Sequence, residues 1–141
     1  VEIALKDICD WIQTEFEDVE VHDTTPDLYF LADGNTKFPF ATIVTRDEDH
    51  DSSSQLNREG RYRLNFATDK ETFQSLFPEI RGKADLQKAS FDYQASDTFF
   101  PHPVYGAMRW VSVINPDSVW PKCKTLLARA RKIRELRPNN W

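Results

Sequence analysis

RYRLNFATDKETFQSLFPEI, residues 61–80, changes period in its middle. Up to Ala67 it alternates, with Tyr62, Leu64 and Phe66 on one side and Arg61, Arg63 and Asn65 on the other, the mark of a half-buried strand in an antiparallel sheet. From an N-cap at Thr68 or Asp69, Phe73, Leu76 and Phe77 then recur at helical spacing until Pro78 stops the run. A strand leads straight into a short amphipathic helix.

Upstream, Leu5, Ile8, Ile12 and Phe16 form one stripe within residues 2–16, flanked by Ile3, Cys9 and Trp11, which predicts an amphipathic helix. Two apolar runs at 28–32 and 38–45 enclose a turn signal at Asp33-Gly34-Asn35 and predict a β-hairpin, preceded by a short strand near Val19–His22. Residues 46–60, RDEDHDSSSQLNREG, have no periodicity and read as an exposed connection. Residues 81–98 show neither period and read mostly as loop. Downstream, AMRWVSVI (107–114) reads as an inner strand, with Met108, Trp110 and Ile114 opposing Val111 and Val113. Asn115-Pro116-Asp117-Ser118 opens a long final helix carrying Val119, Cys123, Leu126, Leu127, Ala130 and Ile133 on one stripe, with Pro121 tolerated in its first turn.

The expected order is α-β-β-β-β-α-β-α without βαβ rhythm. It implies an α+β, two-layer α/β sandwich, an antiparallel sheet with helices packed on one face. The 141 residues suit one domain, 1–141, and 40% hydrophobic content with ten Phe and four Trp suffices for a core. No apolar run is long enough to span a membrane, and the acids of VEIALKDICDWIQ (1–13) read against a signal peptide. Cys9 and Cys123 lack metal spacing and fit a reducing compartment as structural thiols, so a soluble, cytoplasmic protein is expected.

The usual catalytic and cofactor signatures are missing. Four glycines, at 34, 60, 82 and 106, form no dinucleotide loop, phosphate loop or nucleophile elbow, and no cofactor is expected. Asp47-Glu48-Asp49-His50-Asp51 is acidic but lacks the alternation and glycine of a calcium loop, so it reads as solvated rather than as a metal site.

Charge is uneven. Residues 122–141 carry a net +6 and residues 1–121 a net −11, giving −5 overall. The basic C-terminal helix, including Arg129, Arg131 and Lys132, supports an alternative reading as a nucleic-acid contact, which the net charge opposes at long range. On the sheet, Arg61, Arg63 and Asn65 emerge in a row, and Arg109 has the same potential on another strand. Such a row suits an anionic ligand gripped by guanidinium forks; a solvent-exposed face, or salt bridges to the abundant acids, is the competing reading. Within FFPHPVYGAMRWVSVINP (99–116), the prolines at 101 and 103 bias Phe100 and His102 toward extended backbone. Tyr105-Gly106 then bends the chain, with glycine supplying unusual dihedrals. His102 and Tyr105 stand beside Trp110.

The phrases FPFATIVT (38–45), LNREGRYRLNFATDKETFQSLF (56–77) and PHPVYGAMRWVSVINP (101–116) together resemble a bacterial family of unassigned role, domain of unknown function 6194. Arg58, Gly60, Tyr62, Arg63, Leu64, Asn65, Thr72 and Phe73, then His102, Pro103, Tyr105, Gly106 and Trp110, carry the resemblance. More distantly the element order is similar to MmcQ/YjbR-like proteins, which implies a secretion-chaperone-like sandwich and little about function. The leading expectation is a small, non-catalytic binding or interaction module that uses Arg63, Asn65, His102, Tyr105, Arg109 and Trp110 for an anionic small ligand or a protein partner. An enzyme with His102 as general base is an alternative, and a homodimer is compatible with the exposed aromatics.

Overall fold

The structure, a computed structural model, describes residues 3–24, 27–32 and 38–136. Its order is α1 (Leu5–Glu15), β1 (Glu20–Asp23), β2 (Leu28–Leu31), β3 (Ala41–Val44), β4 (Arg63–Ala67), α2 (Lys70–Leu76), α3 (Lys83–Lys88), β5 (Phe99–Pro101), a 3-10 turn (Gly106–Met108), β6 (Trp110–Ile114) and α4 (Trp120–Leu136). The six strands form one sheet, β1-β2-β3-β4-β6-β5, with every neighbouring pair antiparallel. The fold is α+β, as expected. The turn proposed at Asp33-Gly34-Asn35 lies outside the described residues, although β2 and β3 pair as the hairpin requires.

Register assigns the two faces. Leu64 lies opposite Ile43 and Val113, and Phe66 opposite Ala41 and Val111, so these side chains share one face. Ile8 and Ile12 of α1, Phe73 of α2, and Cys123, Leu127 and Ala130 of α4 cover that face in the main core. The other face carries Tyr29, Thr42, Val44, Arg63, Asn65, Ser112 and Ile114. Cys123 is a core thiol and Cys9 is half-buried; burial pushes their pKa values up to about 12 and about 11, as suits structural cysteines.

Three local expectations need correction. Phe99–Pro101 is a paired strand rather than only a stiff lead-in, whereas residues 81–98 are mostly loop, as expected, apart from the six-residue helix α3. Met108 and Arg109 precede β6: Met108 closes the 3-10 turn, and Arg109 adopts a left-handed conformation at φ 65°. Gly106 is required for close approach, not for its dihedrals. A Cβ there would lie 3.1 Å from the Pro101 Cβ and 3.3 Å from Leu86.

The start of α4 is capped from a distance. Asp97, itself left-handed at φ 55°, accepts hydrogen bonds from the amides of Asp117 (2.7 Å), Ser118 (3.1 Å) and Val119 (3.1 Å) and from the Ser118 hydroxyl. Burial is the largest single influence and works against its charge, but the four donors together prevail and hold its pKa down to about 2. Replacing Asp97 by Ala frees amides just ahead of α4 and is expected to lower stability by about 1–2 kcal/mol in urea denaturation. Asp97→Asn, which keeps an acceptor oxygen, should recover part of that loss.

Candidate functional site

On the second face, alternation puts Arg63 and Asn65 of β4 beneath the 46–60 segment. Most of that segment is exposed, as its composition implies, but it is not a loose connection. Glu48 and Asp51 exchange backbone hydrogen bonds in a tight turn, Asp47 Oδ1 accepts from the Leu56 amide at 2.8 Å, and Asn57 Oδ1 accepts from the Asp47 amide at 3.1 Å. Closed on itself in this way, the loop lays Asp51, Ser54 and Leu56 against the sheet. Leu56 joins Phe100 and Ile114 in a second small core, with Val44 and Tyr93 beside it.

Arg63 is wholly buried, and four of its five N–H groups have acceptors. Nη1 donates to Asp51 Oδ1 (3.0 Å) and Ser54 Oγ (3.0 Å), Nη2 donates to Asp51 Oδ2, and Nε donates to Asn65 Oδ1 (2.8 Å). The remaining N–H faces the His102 ring, 3.2 Å from Nε2. Asn65 is fixed in turn: Oδ1 also accepts from Ser112 Oγ (2.7 Å), and Nδ2 donates to Thr42 Oγ1 (3.0 Å). Burial alone would raise the Asp51 pKa; the Arg63 hydrogen bonds and charge outweigh it and hold the carboxyl below its usual value. Of the readings offered for this row, the internal salt bridge describes Arg63, and the solvent-exposed face fails because Arg63 and Asn65 are buried.

His102 is held through the Nδ1 end of its ring. Nδ1 accepts from the Val104 and Tyr105 amides, each at 3.0 Å, so it carries a lone pair and the neutral ring's proton sits on Nε2, 3.8 Å from Asp51 Oδ2. A second proton would have to enter at Nδ1, against two amide donors. Burial first, and the Arg63 charge second, lower its pKa to about 3, with Asp51 pulling the other way. The ring is therefore neutral at physiological pH, and a weak base.

Above this network lies a cavity of about 470 Å³. Thr42, Asn65, Asp51 and His102 contribute to its polar surface; Tyr29, Phe38, Met108 and Trp110 supply apolar and aromatic surface; Asp27 and Glu48 add acids. Tyr105 lines it too, its ring centroid 4.9 Å from that of His102. Five of the six expected residues thus gather in one place: Arg63 as the sealed underside, Asn65, His102, Tyr105 and Trp110 as lining. Arg109 does not join them. It is exposed and borders a separate depression near Lys70 and Arg81, because the 3-10 turn carries it off β6. Arg61 precedes β4 and donates to the carbonyls of Ser54 (3.2 Å) and Gln94 (2.6 Å), tying two loops together.

Asp27, Tyr29, Thr42, Asp51 and Ser112 were missed as site residues. Asp51 had a signal: a guanidinium on an inner strand needs a counter-charge, and the acid-rich segment directly precedes that strand. The basic helix is largely engaged with its own domain. Lys124 Nζ lies 5.9 Å from the Trp11 ring and 5.6 Å from that of Trp120, and Arg131 stacks 5.8 Å from Phe16 and donates to the Glu17 carbonyl at 2.8 Å. Arg137 lies outside the described residues.

Removing one partner of the buried pair strands the other charge. Asp51→Ala should lower the unfolding free energy by about 3–5 kcal/mol. Asp51→Leu combined with Arg63→Met should cost much less than the sum of the two single changes, which urea denaturation of all four proteins would read. The histidine makes a separate prediction from linkage. Between pH 6.5 and about 3 the unfolded chain binds a proton at His102 that the folded chain refuses, so stability falls as pH drops through this window. Relative to the parent, His102→Gln should flatten that slope by up to about 1.4 kcal/mol per pH unit; parallel stability-pH curves would show that His102 titrates normally.

The sequence pattern of a family described as a family of unknown function, DUF6194, matches residues 3–140. No curated protein and no solved structure matches the chain, so the more distant resemblance to MmcQ/YjbR-like proteins rests on element order alone.

Proposed function

Because the chain belongs to the DUF6194 family, whose description leaves its role open, we propose from the geometry that it is a non-catalytic binding module taking a small molecule into the cavity over β3, β4 and β6. The observation that carries this reading is the cavity itself: about 470 Å³, with aromatic surface and a few convergent polar groups, over a network with no slack. Concave apolar sites with a few fixed polar groups are the usual form of small-ligand pockets.

The general-base alternative loses ground. With Nδ1 filled by two amides and a pKa near 3, His102 serves better as a structural clasp for residues 102–105 than as a proton acceptor. An anionic ligand is disfavoured as well, since Arg63 is wholly buried and internal acceptors hold four of its five N–H groups. Two separate free thiols fit a reducing compartment, and a cytoplasmic site of action goes with this reading. Among the described residues no helix is long and apolar enough to cross a membrane.

A fragment screen followed by amide and indole NMR tests the proposal. Ligands should shift the Trp110 indole and the Thr42 and Asn65 amides together, and Tyr105→Ala, at an exposed position, should weaken the best hit roughly ten-fold without loss of the fold. Hits that cluster on another surface and leave these signals unmoved would overturn it.

A further inference from the structure

The ligand's charge can be read from what the cavity leaves unsatisfied. Asp27, immediately ahead of β2, is only 9% exposed and borders the cavity, yet its Oδ1 has no hydrogen-bond partner among the described residues. Buried carboxylate oxygens normally have donors, and an unpaired one is destabilising. Glu48 stands on the same cavity wall, exposed enough to share its carboxylate with Arg46, whose Nε lies 3.0 Å from Oε1. Burial, and then the Glu48 charge, raise the pKa of Asp27, while Arg46 opposes the shift. Both nearby guanidiniums are therefore engaged, Arg46 at the rim and Arg63 beneath. An incoming carboxylate or phosphate would meet acids and no free cation.

An organic cation would meet complementary groups. Tyr29, Phe38, Tyr105 and Trp110 present the aromatic surfaces that attract a positive charge, and Met108 adds polarizable surface. A metal ion fits less well, because among the described residues no three His, Cys, Asp or Glu side chains converge on one point. A wall of carboxylates favours a cation that can also donate hydrogen bonds, which a quaternary ammonium cannot. We infer that the cavity takes a protonated amine on an apolar or aromatic body, its charge set against the Asp27 and Glu48 carboxylates of the wall and its body lying among Tyr29, Met108 and Trp110. This rests on the reading of the cavity as a ligand site and adds the ligand's class to it.

Four probes of similar size separate the possibilities by calorimetry and Trp110 indole NMR: 2-phenylethylamine, 2-phenylethanol, 3-phenylpropionate and benzyltrimethylammonium. The amine should bind roughly ten-fold or more tightly than the alcohol, with the carboxylate weakest and the quaternary ion between. Asp27→Asn should abolish the preference of amine over alcohol, and a cooperative thermal transition of the free variant would show that its fold is kept. Equal binding of amine and alcohol, or tighter binding of the carboxylate, with the indole still shifting, would overturn the amine inference and leave the cavity reading standing. No indole shift with any probe at millimolar concentration would remove both.

Discussion

A guanidinium sits at the centre of this sheet, where no water reaches it. Arg63 lies on β4, between β3 and β6, and its side chain is fully buried. A bare charge there would be prohibitive, so Asp51 comes down to it as a two-pronged partner, itself only 12% exposed. Holding Asp51 in place requires the 46–60 segment to close over the sheet, and that closure brings Leu56 onto Phe100 and Ile114. The ion pair thereby decides which half of the second face is sealed, and the cavity occupies the part that is left.

The same pair governs the chemistry above it. With Asp51, Ser54, Asn65 and His102 around its N–H groups, Arg63 contributes order rather than a free charge. His102 cannot become an imidazolium beside it, so the turn through Tyr105 is clasped by a neutral ring at any physiological pH. The electrostatic character of the cavity then falls to Asp27 and Glu48, and its shape to the aromatic side chains around them. On the reading proposed above, the underside is rigid and the acids at the wall select the ligand.

Much of the fold was legible because period and register are local. Tyr62, Leu64 and Phe66 alternate with Arg63 and Asn65, and both sets went where alternation sends them. The apolar stripes of α1 and α4 likewise face the core. What stayed hidden depended on contacts distant in sequence or on short, weakly patterned segments. Nothing local distinguishes Asp51 from Asp47 or Asp49, yet only a segment closing back on itself puts Asp51 on Arg63. α3 spans six residues, too few for a periodic signal, and its N-cap Gly82 makes no side-chain hydrogen bond. Arg109 looked like a strand residue because Trp110 follows it; the 3-10 turn that displaces it is closed by backbone bonds to Tyr105 and Gly106 that no hydrophobic pattern encodes. Among the site residues, Arg63, Asn65, His102, Tyr105 and Trp110 could be picked out by type and spacing. Asp27 could not, since what marks it is one carboxylate oxygen that finds no donor among the described residues.

The central claim, that Arg63 is sealed and spent on internal partners, is most directly measured by side-chain ¹H–¹⁵N NMR of its guanidinium near neutral pH. A guanidinium pinned by these partners should give separate Nη proton signals, with slow rotation about Nε–Cζ and slow exchange with solvent, unchanged when phosphate is added. Averaged, rapidly exchanging Nη signals that shift on addition of phosphate would contradict the account, because they would show a guanidinium free to rotate and to hold an external anion.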